Sequence, residues 1–206
     1  MPIHSIKSIF DSSILIWKIV ESEDYLRSDI KLTENCENRL NTIKSEQRRK
    51  QFLSIRKLFS FNNISLSELV YDSNGAPYLK NGKKISISHT NNYAALVISD
   101  YNIGIDIQDY REKIISISDK FISAYERQII DVNSVKELTL IWCIKESVFK
   151  IYKKPGLSFK KNIIIESFSD KFESSLISLS KSNKKSFFKS KNIIQSDYIC
   201  SVVTEK

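Results

Sequence analysis

WCIKESVFK, residues 142–150, is the most informative stretch of this chain. Apolar residues in and around it recur at helical spacing, which predicts an amphipathic helix from about Val135. Pro155 and Gly156 predict its end. On such a helix Trp142, Glu146 and Lys150 are each four residues apart, so they share one stripe. A helical Glu and Lys at this spacing are usually a solvent-exposed pair of small energy, so the stretch needs a partner before it indicates chemistry.

The partner is the stretch IGIDIQ, residues 103–108. Its apolar residues alternate with Gly104 and Asp106, which is the period of a β-strand and turns Asp106 away from the neighbouring isoleucines. A carboxylate in an apolar strand is costly to bury unless it is paired or binds a metal, and a glycine lets another element approach closely. Asp106 and Glu146 would therefore hold a divalent cation at a sheet–helix junction, or Asp106 is an ordinary turn or cap residue.

Composition indicates a globular protein with a sizeable core. The chain has 206 residues, of which 41% are hydrophobic, and this excludes a disordered protein. A net charge of +8 favours polyanionic partners, namely nucleic acid, phosphorylated small molecules or an acidic protein, although a lysine-rich surface also serves solubility. Three scattered cysteines fit a reduced, cytoplasmic setting. The apolar run at residues 14–19 is too short to span a membrane and does not look like a signal peptide, so it predicts a strand.

The first half of the chain predicts a strand, then helices, then a hairpin. Residues 12–20 form the strand, residues 24–60 are mostly helical, and residues 85–89 and 93–99 form the hairpin. The clearest helix runs from Ser45 to Phe59, and its basic side is a solvated face or a phosphate-binding edge. Hydroxyls flank His89 where the first hairpin strand ends, and this polar cluster would hold a phosphate or is simply part of a strand edge.

The second half repeats a mixture of helices and strands. We predict a helix over residues 117–131, then the helix from Val135, then short strands at 162–168, 175–179, 185–188 and 198–203. A turn at 100–102 separates the halves. The sequence therefore predicts an α+β fold with two lobes, residues 1–101 and 102–206.

These stretches together resemble the 4'-phosphopantetheinyl transferases. Residues 104–106 and 142–150 follow the family pattern G-[IV]-D … [WF]-x-x-K-E-[SA]-x-x-K, and the blocks at 87–90, 121–127 and 156–158 agree with it in order. The likeness is to the longer, monomeric class, which includes the surfactin-synthetase-activating enzymes. It implies two similar α+β lobes related by pseudo-twofold symmetry, with coenzyme A between them. It also implies Mg²⁺, with Mn²⁺ as an alternative, and transfer of the 4'-phosphopantetheine arm to a serine of an acidic apo acyl or peptidyl carrier protein. The other product is 3',5'-ADP, and no nucleic-acid or membrane partner is expected.

The resemblance also implies roles for individual residues. Metal-binding positions are Asp106, Gln108 and Glu146. Catalytic positions are Glu146, as acceptor of the serine proton, and Lys150, which stabilises the leaving phosphate. Coenzyme-binding positions are Arg48, Lys50, Arg56, Ser88, His89, Lys145 and Lys150. Two positions depart from the family pattern, because Gln108 replaces a frequent third acid and Ala76 a frequent lysine; the first predicts a weaker but functional metal site.

Three alternatives remain at this point. A basic nucleic-acid-binding module would use the Lys and Arg surface, but no nucleic-acid motif is recognisable. A catalytically weak relative that only docks carriers is disfavoured by the intact Asp106, Glu146 and Lys150. A metal-dependent hydrolase would need further acid or histidine ligands, and the sequence offers none in a recognisable pattern.

Overall fold

A computed structural model describes residues 3–73, 75–153 and 156–206. The chain divides into two compact units, Met1–Tyr101 and Asn102–Lys206. Each contains helices and antiparallel sheet, so the predicted mixed α+β class is confirmed. The predicted pseudo-twofold relation between lobes stays a prediction. No helix in the described ranges has both the length and the hydropathy needed to cross a bilayer.

The first unit is built on a four-stranded antiparallel sheet and three helices. Its sheet strands are β1 (Ile3–Ile9), β2 (Ser12–Lys18), β5 (Lys84–His89) and β6 (Tyr93–Ser99), in the order β1-β2-β6-β5. Its helices are α1 (Glu23–Arg27), α2 (Glu34–Thr42) and α3 (Glu46–Phe61), and a separate small pair consists of β3 (Leu69–Tyr71) and β4 (Pro77–Leu79). Helix α3 begins where the Ser45 hydroxyl accepts from the Arg48 N–H, and its apolar side enters the core of this unit.

The second unit is a five-stranded antiparallel sheet with one long helix. The strands are β7 (Ile103–Asp109), β8 (Ile163–Phe168), β9 (Ser174–Lys181), β10 (Lys184–Ile194) and β11 (Tyr198–Glu205), in the order β7-β11-β10-β9-β8. The helices are α4 (Lys113–Ile117), α5 (Val135–Tyr152) and α6 (Phe159–Asn162).

Helix α5 is the element that carries the 142–150 stretch. The Ser134 hydroxyl caps it by accepting from the Glu137 N–H, and Lys153 ends it in the left-handed region. Leu138, Ile144 and other apolar residues are buried against the sheet, so burial of this face stabilises the helix. The predicted start at Val135 is confirmed, whereas the predicted stop at Pro155 lies outside the described residues.

The predicted helix over residues 117–131 is wrong. Helix α4 ends at Ile117, and only short 3₁₀ turns follow at Ser118–Lys120 and Glu126–Gln128. The cause is a local capping box: the Ser123 hydroxyl accepts from the Glu126 N–H, and the Glu126 carboxylate accepts from the Ser123 N–H. This pair starts a new turn and prevents one continuous helix.

The sequence also failed to identify strand β1. Its apolar residues do not alternate strictly, yet it pairs with β2 along its length through a tight turn at Phe10 and Asp11, both of which have positive φ. Strand β10 likewise continues to Ile194, beyond the predicted 185–188, because both of its neighbours supply hydrogen-bonding partners over the longer span.

Candidate active site

Strand β7 presents one face to helix α5. Gly104, Asp106 and Gln108 lie on this face, at every second position, while Ile105 and Ile107 are buried on the opposite face. Asp106 is only 3% exposed. A carboxylate this deeply buried requires partners, and the structure provides them from α5 and from β7 itself.

Helix α5 reaches β7 at unusually short range. A Cβ atom added to Gly104 would lie 2.0 Å from the Ser147 carbonyl oxygen, so glycine is required for this approach. Close by, the Cys143 thiol donates to the Asp106 carbonyl oxygen at 3.0 Å, and burial raises the pKa of that thiol well above its usual value. The thiol therefore acts as a neutral donor that fixes the helix to the strand.

Both carboxylate oxygens of Asp106 have partners. Lys150 Nζ donates to Oδ1 at 2.7 Å and to the Ile105 carbonyl oxygen at 2.8 Å. Gln108 Nε2 donates to Oδ2 at 2.7 Å. The lysine bond is partly buried and is of the charge-assisted kind, so it orients the Asp106 carboxyl group towards α5.

Glu146 lies one helical turn before Lys150, and its carboxylate interacts with that of Asp106. The pKa of Glu146 is raised from 4.5 to about 7. Burial is the largest cause, the negative charge of Asp106 acts in the same direction, and the positive charge of Lys150 opposes both. A carboxylate with a pKa near neutrality accepts and releases protons under physiological conditions. Two like charges at a junction, with one lysine shared between them, also make an arrangement that a cation would stabilise.

The β7–α5 junction lies within a range that matches a known protein family. Residues 102–203 match the model of the 4'-phosphopantetheinyl transferase superfamily. The second unit carries a 4'-phosphopantetheinyl transferase superfamily domain. A search of curated proteins found no match. The matched range contains Asp106, Gln108, Glu146 and Lys150, so the superfamily domain includes the whole β7–α5 junction.

The residues of the superfamily domain fit a hard divalent cation. Within the described ranges, no three or more His, Cys, Asp or Glu side chains come together as a metal site. Mg²⁺ does not need such a set, because it commonly uses one or two carboxylates together with substrate phosphates and water. Asp106 and Glu146 would be the two carboxylates in such a site. The Gln108 side-chain N–H₂ donates to Asp106, so its side-chain carbonyl oxygen is the atom that would contact a cation.

Lys145 does not join this junction. Its side chain is wholly buried, and Nζ donates to Glu126 Oε2 and to the carbonyl oxygens of Phe121 and Phe159 at 2.7–3.0 Å. Burial lowers the pKa of Lys145 to about 8, and Glu126 opposes the shift. The coenzyme-binding role predicted for Lys145 is untested, and these contacts favour a role within the domain.

The other predicted coenzyme-binding residues belong to the first unit. Arg48 is exposed and Lys50 half-buried on α3, while Ser88 and His89 end strand β5. Gln51 of α3 connects the two places, because its Nε2 donates to the Thr90 carbonyl oxygen at 2.9 Å, directly after His89. The first turns of α3 and the end of β5 are thus adjacent within this unit.

Arg56 differs from these residues because it is 3% exposed. Its Nη2 donates to the Tyr71 hydroxyl at 3.0 Å, Nη1 to the Phe52 carbonyl oxygen at 3.3 Å, and its guanidinium stacks on the Phe52 ring. Its buried Nε has no hydrogen-bond partner among the described residues. This enclosure favours packing of α3 over contact with a phosphate, and the predicted binding role stays a prediction.

Sequence reasoning missed several residues around the junction. Glu126 and Ser147 were not singled out, although a Ser-x-x-Glu pattern at 123–126 was visible as a capping signal. The Ser147 hydroxyl lies 2.9 Å from both the Cys143 and the Ser201 carbonyl oxygens, and its donation to Ser201 links α5 to β11. No local pattern identifies such a contact, since its partner is 54 residues away.

Proposed function

We propose that this protein transfers the 4'-phosphopantetheine arm of coenzyme A to a serine hydroxyl of an apo acyl or peptidyl carrier protein. The observation that carries the proposal is the cluster of Asp106, Glu146 and Lys150 at the β7–α5 junction, inside a domain of the matching superfamily. In the transfer, the serine oxygen forms a bond to the phosphorus that bears the pantetheine arm. The bond from that phosphorus to the bridging pyrophosphate oxygen breaks, and 3',5'-ADP leaves.

Glu146 is the group that accepts the serine proton. It is partly exposed, and without a bound metal its pKa of about 7 leaves about half of it ionised at neutral pH. A base of this pKa contributes typically 10²–10⁴-fold to a rate. Glu146 lies one helical turn before Lys150 on the same stripe of α5, and this supports a role for the Lys150 ammonium beside the leaving phosphate.

Lys150 and Asp106 orient the reacting phosphates. Lys150 Nζ already carries two hydrogen bonds, which hold it at the junction without burying it completely. Its third N–H is available for a phosphate oxygen. Asp106 and Glu146, with the Gln108 carbonyl oxygen, would hold Mg²⁺, and a bound Mg²⁺ supplies neutralisation of charge on the pyrophosphate.

The net charge of +8 supports anionic partners for the whole chain, and both coenzyme A and an acidic carrier protein qualify. On the same reasoning we propose that Arg48, Lys50, Ser88 and His89 form the nucleotide-binding side in the first unit, where α3 and the end of β5 adjoin. A monomer and a cytoplasmic setting complete the proposal.

Intact-protein mass spectrometry tests it. Several apo carrier proteins are incubated with coenzyme A, Mg²⁺ and the protein, beside Asp106→Asn and Glu146→Gln variants and the exposed-site control Glu112→Gln. A mass gain of one phosphopantetheine arm is expected with the native protein and Glu112→Gln, and is expected to disappear in both site variants and on chelation. Coenzyme A binding without any transfer would instead support a carrier-docking relative, and absence of coenzyme A binding would refute the proposal.

A further inference from the structure

The pair Glu126–Lys145 is the main charged feature of the second unit that the transfer itself does not use. Both side chains are 0% exposed, and Lys145 Nζ lies 2.8 Å from Glu126 Oε2. An ion pair removed from water in this way is weak evidence for stability, because desolvation offsets the attraction. Its contacts therefore need another explanation.

All three N–H groups of the Lys145 ammonium are used inside the domain. Besides Glu126, they reach the Phe121 carbonyl oxygen at 2.7 Å and the Phe159 carbonyl oxygen at 3.0 Å. An ammonium has three donors, so none remains for a phosphate. Lys145 connects α5 to the 121–126 turn and to the start of α6.

Glu126 completes the connection with its own backbone contacts. Oε2 accepts from the Ser123 N–H at 2.8 Å, and Oε1 accepts from the Ile165 N–H of β8 at 2.9 Å. The pair thus provides hydrogen-bond partners for two backbone carbonyls and two backbone N–H groups. Three separate segments are joined to one point on α5.

Trp142 adds an aromatic contact to the same segments. Its ring packs on Phe121 with centroids 5.1 Å apart and on Phe159 with centroids 5.5 Å apart. These are the two residues whose carbonyls accept from Lys145. Helix α5 is therefore held by the ring contacts of Trp142 and by the hydrogen bonds of Lys145. Together these contacts restrict both its translation along the sheet and its rotation about its own axis.

We infer that Glu126 and Lys145 are positioning residues, which set the rotation of α5 so that Glu146 faces Asp106. Glu146 directly follows Lys145, and each residue step turns an α-helix by about 100°. A small rotation at Lys145 thus moves the Glu146 carboxylate away from β7. The inference rests on the proposed function of the β7–α5 junction, and it adds residues that touch neither coenzyme A nor the carrier.

The test compares cation binding with folding. Glu126→Asp keeps the charge and shortens the side chain by one methylene, and Lys145→Met removes the charge at similar volume. Leu179→Ala is the matched control, because it removes buried apolar atoms from β9 without touching the pair. Binding of Mn²⁺ in the presence of coenzyme A is followed by electron paramagnetic resonance, and Tm and carrier modification are measured in parallel.

We expect Mn²⁺ affinity to fall about tenfold in Glu126→Asp and further in Lys145→Met, which is typical when support of a metal ligand is lost. We also expect kcat to fall while KM for the carrier stays constant. Leu179→Ala should lower Tm and retain Mn²⁺ affinity. A folded pair variant with native Mn²⁺ affinity would overturn the inference.

If the pair variants do not fold, Trp142→Phe replaces them. It loosens the contact with Phe121 and Phe159 without changing a charge, and it should weaken Mn²⁺ binding several-fold. Native Mn²⁺ affinity in that variant would likewise overturn the inference. Failure of the native protein to bind Mn²⁺ or to modify any carrier would instead reject the proposed function on which the inference rests.

Discussion

Gly104→Ala tests how closely α5 must approach β7. The new Cβ would lie 2.0 Å from the Ser147 carbonyl oxygen and 2.9 Å from its carbonyl carbon, and both are main-chain atoms. Relief to 3.0 Å, the lower limit of real Cβ contacts, already requires the helix or strand to move by about 1 Å. Overpacking of this kind costs about 1–3 kcal/mol, which for a unit of this size lowers Tm by roughly 4–20 °C. A displacement of about 1 Å at a reacting site costs on the order of 10²-fold in rate.

The assay for Gly104→Ala is carrier modification by mass spectrometry at a temperature where the variant is fully folded. Leu179→Ala is the control for destabilisation, since its expected cost of about 2–5 kcal/mol is at least as large and its position is in β9. We expect a loss of about 10²-fold for Gly104→Ala and little loss for the control. If Gly104→Ala retained native kcat and native Mn²⁺ affinity, the argument from close approach would be refuted.

Three further predictions concern the charges of the junction. The pKa of Glu146 is raised to about 7, mainly by burial, so between about pH 4.5 and pH 7 the folded metal-free protein holds a proton that the unfolded chain has released. The free energy of unfolding therefore falls as the pH rises through this window, by at most about 3 kcal/mol. Glu146→Gln should remove this dependence and raise Tm at pH 8 in a chelator, and parallel native and variant Tm profiles would contradict the shift. Gln108→Glu replaces an amide by a third carboxylate, so Mn²⁺ affinity should rise about tenfold and the Tm of the metal-free protein should fall. Mn²⁺ affinity is measured by electron paramagnetic resonance, and an unchanged value would place residue 108 outside the site. Lys150→Met should lower kcat roughly 10²–10³-fold. It should not weaken Mn²⁺ binding, because removal of a nearby positive charge favours the cation and offsets the loss of the bond that orients Asp106. Lys136→Met, exposed on the same helix, should change neither quantity, and equal effects in both variants would remove Lys150 from the mechanism.

The sequence predicted the elements of the junction well, because the patterns there are local. A helix with buried Leu138 and Ile144 and a strand with alternating isoleucines each follow from side-chain periodicity. The close approach expected at Gly104 is also present. Periodicity could predict each element but gave no distance between them.

Side-chain periodicity did not predict the contacts that individual polar side chains make. Lys145 was assigned to the coenzyme from the family resemblance, and that assignment stays a prediction. Its buried contacts, which include Glu126 19 residues earlier, follow from no local pattern. The helix expected over 117–131 was broken by reciprocal hydrogen bonds between Ser123 and Glu126, which outweigh helical periodicity over so few residues. Arg56 has a sequence environment like that of Arg48, and only the packing of α3 on its unit separates a buried guanidinium from an exposed one.

The alternation of strand β7 makes activity a sensitive report of correct strand pairing. Side chains of one face hold the charges, and Ile105 and Ile107 on the other face are 0% exposed. A slip of one residue against β11 would exchange the faces, so that Asp106 would enter an apolar layer and isoleucines would face α5. Misregistered molecules would therefore be inactive as well as unstable, and the specific activity of a refolded preparation would measure the fraction of chains with the native register.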